Sequence, residues 1–161
     1  MTQPKIIDVS AAQPLGSIDV AAAKADGVVG AIVRASYAAK IDAYFHKHIE
    51  SFIAGGLRVG VYHFQYTDQD PQAEVAALAN ELRVAGYPLD YGVTLDVETL
   101  NHQSPGNVVT WASAFIDELI VNCPKYCWYC VMRPPSESAS ESCSQRRDEQ
   151  TDRPDPCTPG R

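Results

Sequence analysis

Apolar positions along most of this chain recur at two alternating spacings. Lys5-Ile6-Ile7-Asp8-Val9-Ser10 is a short β-rich run carrying a single acid. With Ile7 and Val9 packed outward, Asp8 shares its face with Ile6 and Ser10 and looks inward, because side chains two apart on a strand point the same way. Ser17 caps a short helix over Val20 to Ala25, which Gly27 terminates. Val28 to Ala35 is the next strand and runs into Arg34-Ala35-Ser36-Tyr37. From Asp42 to Ala54, Phe45, Ile49, Phe52 and Ile53 fall on one helical face, and Gly55-Gly56 stops the helix.

Leu57 to Phe64 gives a third strand. Asp70-Pro71 supplies a cap and a first-turn proline for a helix that buries Val75, Leu78, Ala79 and Leu82 and ends at Gly86. Tyr91 to Glu98 returns to period two, with Val93, Leu95 and Val97 alternating with Thr94, Asp96 and Glu98. Ser104-Pro105 opens a fourth helix with Val108, Trp111, Phe115, Ile116 and Leu119 on one side. A possible fifth strand spans Lys125 to Val131. The β-α-β-α order with short connections predicts an α/β fold of parallel strands joined by right-handed crossovers. It also puts every strand-to-helix junction at one end of the sheet.

That end collects the candidate chemistry. Asp8, Arg34, Tyr62, Asp96 and Glu98 all lie near C-terminal strand ends, where barrel enzymes build their sites. Asp96 and Glu98 are the sharpest pair. On a strand they share a face with Cα atoms roughly 6.5–7 Å apart, and folding gains nothing from such repulsion. Like charges in a low-dielectric cleft split their pKa values, leaving one acid and one base. The plainer reading is a chance pair at an exposed strand end. Asp8 could likewise be a strand-end residue held by backbone N–H groups, Tyr62 a packing residue, and Arg34 one half of a structural ion pair. His63 alternates with Tyr62 and is expected in the core, facing the helices. His46 and His48 stand two apart on a helix and make a poor metal pair.

Composition changes the picture at one point. The 161 residues suffice for one domain with a real core. Residues 1–123 carry 7 Lys+Arg against 14 Asp+Glu, so the entire net charge of −7 lies there. An acidic domain of this kind argues against nucleic acid or an anionic membrane as main partner. No apolar run approaches the roughly 18 residues needed to span a bilayer. The N-terminus shows no apolar signal segment. All five cysteines and six of the eleven prolines fall at or after position 123. Residues 133–161 contain no Leu, Ile, Val, Phe, Trp or Tyr, so that segment is expected to be disordered. Cys127-x-x-Cys130 with Cys143 and Cys157 has poor zinc spacing, and no metal is expected. The division is a module over 1–124 and a divergent low-complexity tail over 125–161.

Four segments then fall in a telling order: Ile7-Asp-Val-Ser10, Arg34-Ala-Ser36, Ala54-Gly-Gly-Leu-Arg-Val-Gly-Val-Tyr-His-Phe64 and Leu95-Asp-Val-Glu98. Over about residues 5–122 the chain resembles glycoside hydrolase family 25, the Chalaropsis-type lysozymes or N-acetylmuramidases. The resemblance implies an incomplete TIM-like (β/α) barrel with parallel strands and a disordered C-terminal tail. It implies cleavage of the β-1,4 bond after N-acetylmuramic acid in bacterial cell-wall peptidoglycan, with no cofactor. Glu98 would be the general acid, and Asp96 would stabilise developing charge at the sugar or orient its acetamido group. Asp8 would complete the cluster, while Tyr62 and Arg34 would bind substrate. Extracellular or cell-wall action without a classical signal fits a phage or prophage lysin released by a separate pore.

The family's modules run on for several more strands and add a further acid near their end. Here the pattern stops around Pro124, and the tail resembles translation in a wrong reading frame. Resequencing the coding DNA checks this, an intact alternate frame encoding more barrel strands being the expected result. Two other classes fit the same acids: a non-catalytic remnant that binds glycan, and an α/β module whose acidic cleft takes a cationic ligand.

Overall fold

In the computed structural model, the described residues are 3–66, 68–98, 100 and 102–126. Strands β1 (Lys5–Val9), β2 (Val28–Tyr37), β3 (Lys40–Ile41), β4 (Arg58–Phe64) and β5 (Val93–Asp96) alternate with helices α1 (Val20–Ala25), α2 (Phe45–Ala54), α3 (Pro71–Ala85) and α4 (Pro105–Asn122). The strands β1-β2-β4-β5 lie side by side in that order, all parallel. β3 is a two-residue addition that pairs antiparallel with the end of β2. The α/β class with parallel strands is as the alternating pattern implied.

Each parallel crossover needs a helix to carry the chain back, and the helix ends are built as expected, apart from the starts of α1 and α2. Asp70 accepts from Gln72 N, Pro71 sits in the first turn of α3, and Gly86 closes it in the left-handed conformation (φ 65°). The Ser104 hydroxyl accepts from Asn107 N to start α4. α2 begins at Phe45 after Tyr44 instead of at Asp42, and in α1 Asp19 rather than Ser17 caps the helix through Ala22 N. Asp19 directly precedes the first helical residue, whereas Ser17 donates its backbone N–H to Pro14 O in a turn.

The core lies between one face of the sheet and the helices. Val9, Ala31, Val33, Val59, Val61 and Val93 point into it from the strands. Phe45, Ile49 and Phe52 meet them from α2, Val75, Leu78 and Leu82 from α3, and Trp111, Phe115 and Leu119 from α4. At about 25 cal/mol per Å2, burying each of these large side chains contributes on the order of 1.5–3 kcal/mol. Trp111 Nε1 donates to Gln69 O at 2.8 Å, fixing α4 to the loop before α3.

The opposite face of the sheet is set by register. Ile6 lies beside Gly30 and Gly30 beside Arg58, while Asp8 lies beside Ile32 and Ile32 beside Gly60. At the lower end of this face, Tyr91 lies against two glycines. A Cβ at Gly30 would stand 2.4 Å from Tyr91 Cε2, and one at Gly60 would stand 2.7 Å from Tyr91 Cβ. At Gly60 the tyrosine would have to move, and at Gly30 the backbone would have to give as well, because the Cβ would also stand 2.9 Å from Arg58 O. Gly30→Ala is therefore expected to cost about 1–3 kcal/mol in a urea melt, and Gly30→Ala with Tyr91→Ala less than the sum of the two.

Two differences from the pattern are local. β5 ends at Asp96, so Val97 and Glu98 lie just past the ladder, and Val97 is exposed. Lys125 and Tyr126 belong to a 3-10 turn, Pro124–Tyr126, instead of opening a fifth strand. The rest of that expected strand and the tail through residue 161, with Cys127, Cys130, Cys143 and Cys157, lie outside the described residues.

Candidate active site

Asp8, Arg34, Tyr62 and Asp96 share the sheet face turned away from the helices. Arg34 on β2 sits beside Tyr62 on β4, and Tyr62 beside Thr94 on β5. One step further along, Phe64 pairs with Asp96. Asp8 and Asp96 lie on the outer strands with β2 and β4 between them. On a flat sheet that separation would be about 14 Å, from three spacings of roughly 4.8 Å. The charge of Asp8 nevertheless reaches Asp96, which is consistent with a sheet that curls toward this face.

The charges of this face are coupled. Burial pushes the Asp96 carboxyl above its ordinary value, and the negative charges of Glu98 and then Asp8 push the same way. Asp8 and Glu98 thus both bear on Asp96. The Tyr62 phenol also rises, first through burial. The Arg34 guanidinium and a hydrogen bond with the Ser10 side chain hold it back, while Asp8 and Asp96 push it up.

A carboxyl raised in the folded chain stabilises the fold below its unfolded range, and this contribution fades as pH climbs through the raised value. Near neutral pH, Asp96 is thus a net burden on stability. Asp96→Asn is expected to raise the thermal midpoint near pH 7 and to bring no gain near pH 3, where the native acid is already protonated.

Arg34 is committed to a partner. Its Nε donates to Asp42 Oδ2 at 2.6 Å, and its guanidinium lies over the Tyr37 ring at 5.1 Å from the centroid. The structural ion pair expected as one alternative is present, and the same cation acts on Tyr62. Asp42 as the partner is not legible in the sequence, because a lone acid after a two-residue strand carries no periodic signal.

His63 is in the core as expected, wholly buried and stacked on Phe115 with ring centroids 4.6 Å apart. Its Nδ1 is 2.8 Å from Ser36 Oγ and its Nε2 2.6 Å from Glu74 Oε2. Glu74 was not foreseen inside, because a glutamate in a helix's first turn usually faces water. A register shift in β2 between Arg34 and Ser36 puts Ser36 opposite His63, which allows the contact. His46 and His48 diverge: His46 meets Tyr87 and Glu81, and His48 meets Gln13 O. No group of three or more His, Cys, Asp and Glu among the described residues could hold a metal ion. No helix among them is long and apolar enough to cross a membrane.

Parallel strands with acids gathered at their C-terminal ends define a barrel-type glycoside hydrolase layout. The sequence profile of glycosyl hydrolases family 25 matches residues 7–137, and the chain belongs to that family. The match runs past the break in composition near residue 124.

Solved structures share the fold. One is a family 25 glycosyl hydrolase from Bacillus anthracis, 24% identical, with TM-score 0.62 over 77% of this chain and 57% of that one. Another is the catalytic domain of endolysin ply40 from bacteriophage P40 of Listeria monocytogenes, 25% identical, with TM-score 0.59 over 74% of this chain and 58% of that one. A third is the modular autolysin LytC of Streptococcus pneumoniae in complex with a synthetic peptidoglycan ligand, 21% identical, with TM-score 0.61 over 73% and 30%. The chain thus spans less than two thirds of the length of each. No curated protein matches it.

Proposed function

We propose that the acidic face hydrolyses the β-1,4 bond between N-acetylmuramic acid and N-acetylglucosamine in bacterial peptidoglycan. The observation that carries this reading is the pressure of Asp8 and Glu98 on Asp96 at one end of a parallel sheet. A family 25 profile over most of the chain supports it. So do the printed identities of the neighbours: one is an endolysin catalytic domain, another an autolysin with a synthetic peptidoglycan ligand.

In this reading Glu98 protonates the leaving oxygen. Glu98 is exposed in the free chain. Asp96 then stabilises positive charge at the sugar or orients the acetamido group. Asp8 completes the cluster, and Tyr62 with Arg34 lines the groove. The site of action is the cell wall, reached by a lysin released from a host cytoplasm.

Clearing of a bacterial wall suspension tests the proposal, run on protein that first shows a cooperative thermal transition. Loss of turbidity with muramic-acid reducing ends in the products is the expected result. A folded protein that sediments with walls and leaves them intact would replace the enzyme by a glycan-binding module.

A further inference from the structure

Asp42 is the most tightly held charged group near the acidic face, and neither the resemblance nor the sequence pattern singles it out. The turn after β2 brings it there. Ala38 takes a left-handed conformation (φ 45°), the chain doubles back through β3, and Asp42 N then donates to Ala35 O at 2.9 Å. The side chain is wholly buried. A carboxylate withdrawn from water is tolerated only when its oxygens find donors. Here they find three, from three parts of the chain. Oδ2 accepts from Arg34 Nε at 2.6 Å and from Ala11 N at 3.1 Å, and Oδ1 accepts from Tyr44 N at 2.9 Å.

Each donor bears on the site or its frame. Ala11 follows Asp8 by three residues, so its amide bond pins the loop that leaves β1. Tyr44 precedes the first residue of α2. Arg34 is the cation that opposes the carboxylates around Tyr62. An arginine with one nitrogen tied at 2.6 Å and its plane over Tyr37 loses most of its rotamer freedom.

We propose that Asp42 is a positioning residue of the acidic site, fixing the Arg34 guanidinium and the loop after Asp8 so that both stand correctly against Tyr62. This deepens the muramidase reading and rests on it for its catalytic meaning. The groups that face Tyr62 are Asp8 from β1, the Ser10 side chain, Arg34 from β2 and Asp96 from β5. Asp42 acts on that tyrosine through Arg34.

The test follows the Tyr62 ring by carbon NMR during an alkaline titration, with Tyr62→Phe identifying its signal. Asp42→Asn keeps one acceptor oxygen and loses the charge that anchors Arg34. It is expected to move the Tyr62 titration upward, and Arg34→Gln to move it the same way. The double variant should titrate like Arg34→Gln alone. Ala11 amide exchange should quicken about tenfold or more in Asp42→Asn. A Tyr62 titration left in place by both single variants would overturn the proposal, and so would an Asp42→Asn effect that adds fully to that of Arg34→Gln. If Asp42→Asn does not fold, Arg34→Gln decides alone, and an unmoved Tyr62 overturns it. None of these measurements needs turnover. A folded wild type that fails to clear walls would end the muramidase reading while leaving this result to stand by itself.

Discussion

Glu98→Gln is expected to slow wall hydrolysis by about 10²–10⁴-fold, the range typical of removing a general acid. Gln has nearly the same shape and accepts hydrogen bonds but delivers no proton. Because Glu98 is exposed, the fold should barely notice, with unfolding free energy within about 0.5 kcal/mol of the parent. The decisive comparison is the rate of reducing-end release by parent and variant at equal folded concentration. Retention of more than about a tenth of the activity would remove Glu98 from the acid role. The effect is also expected to exceed that of Tyr62→Phe, which removes only a hydroxyl from the groove.

The largest loss of stability is expected at His63→Ala, on the order of 3–5 kcal/mol in urea unfolding. The substitution opens a cavity beside Phe115 and strips both Ser36 and Glu74 of the bonds that satisfy them. Glu74 has no reserve, since its Oε1 finds no hydrogen-bond partner among the described residues. Domains of this size hold only about 5–15 kcal/mol in total, so the variant should populate unfolded chains at room temperature. His63→Ala with Glu74→Leu is expected to recover part of the loss, because the buried carboxylate is then gone and only the Ser36 hydroxyl is left without its partner. Additive losses in the double variant would mean that the ring's volume, rather than its bonds, carries the effect.

What could be read from the chain in advance follows from which features are periodic. The helix at 71–85 announces itself by an Asp-Pro start, apolar residues on one side and a closing glycine, and its bounds appear as expected. The alternation through Val59, Val61 and His63 likewise assigns the faces of β4, and with them the inward place of Tyr62. Asp8 stands out because a lone acid in an apolar strand breaks a pattern, and Asp96 because Glu98 follows it two residues on. Asp42 and Glu74 break none. Asp42 reaches its buried place through a two-residue strand too short to alternate, and Glu74 through its bond to His63 on β4. Their meaning depends on residues 8 and 11 positions away in sequence, respectively. Pairing of that kind is invisible to periodicity.

The early end of β5 gives the two leading acids different mechanical lives. Asp96 O still accepts from Gln65 N at 3.1 Å, so its backbone is fastened to the neighbouring chain. Glu98 stands two residues further on, past the last rung. One acid is anchored through its backbone, and the other belongs to the segment that leaves the sheet. A proline introduced at Val97 is therefore expected to disturb the placing of Glu98 more than that of Asp96, whose backbone the sheet still holds.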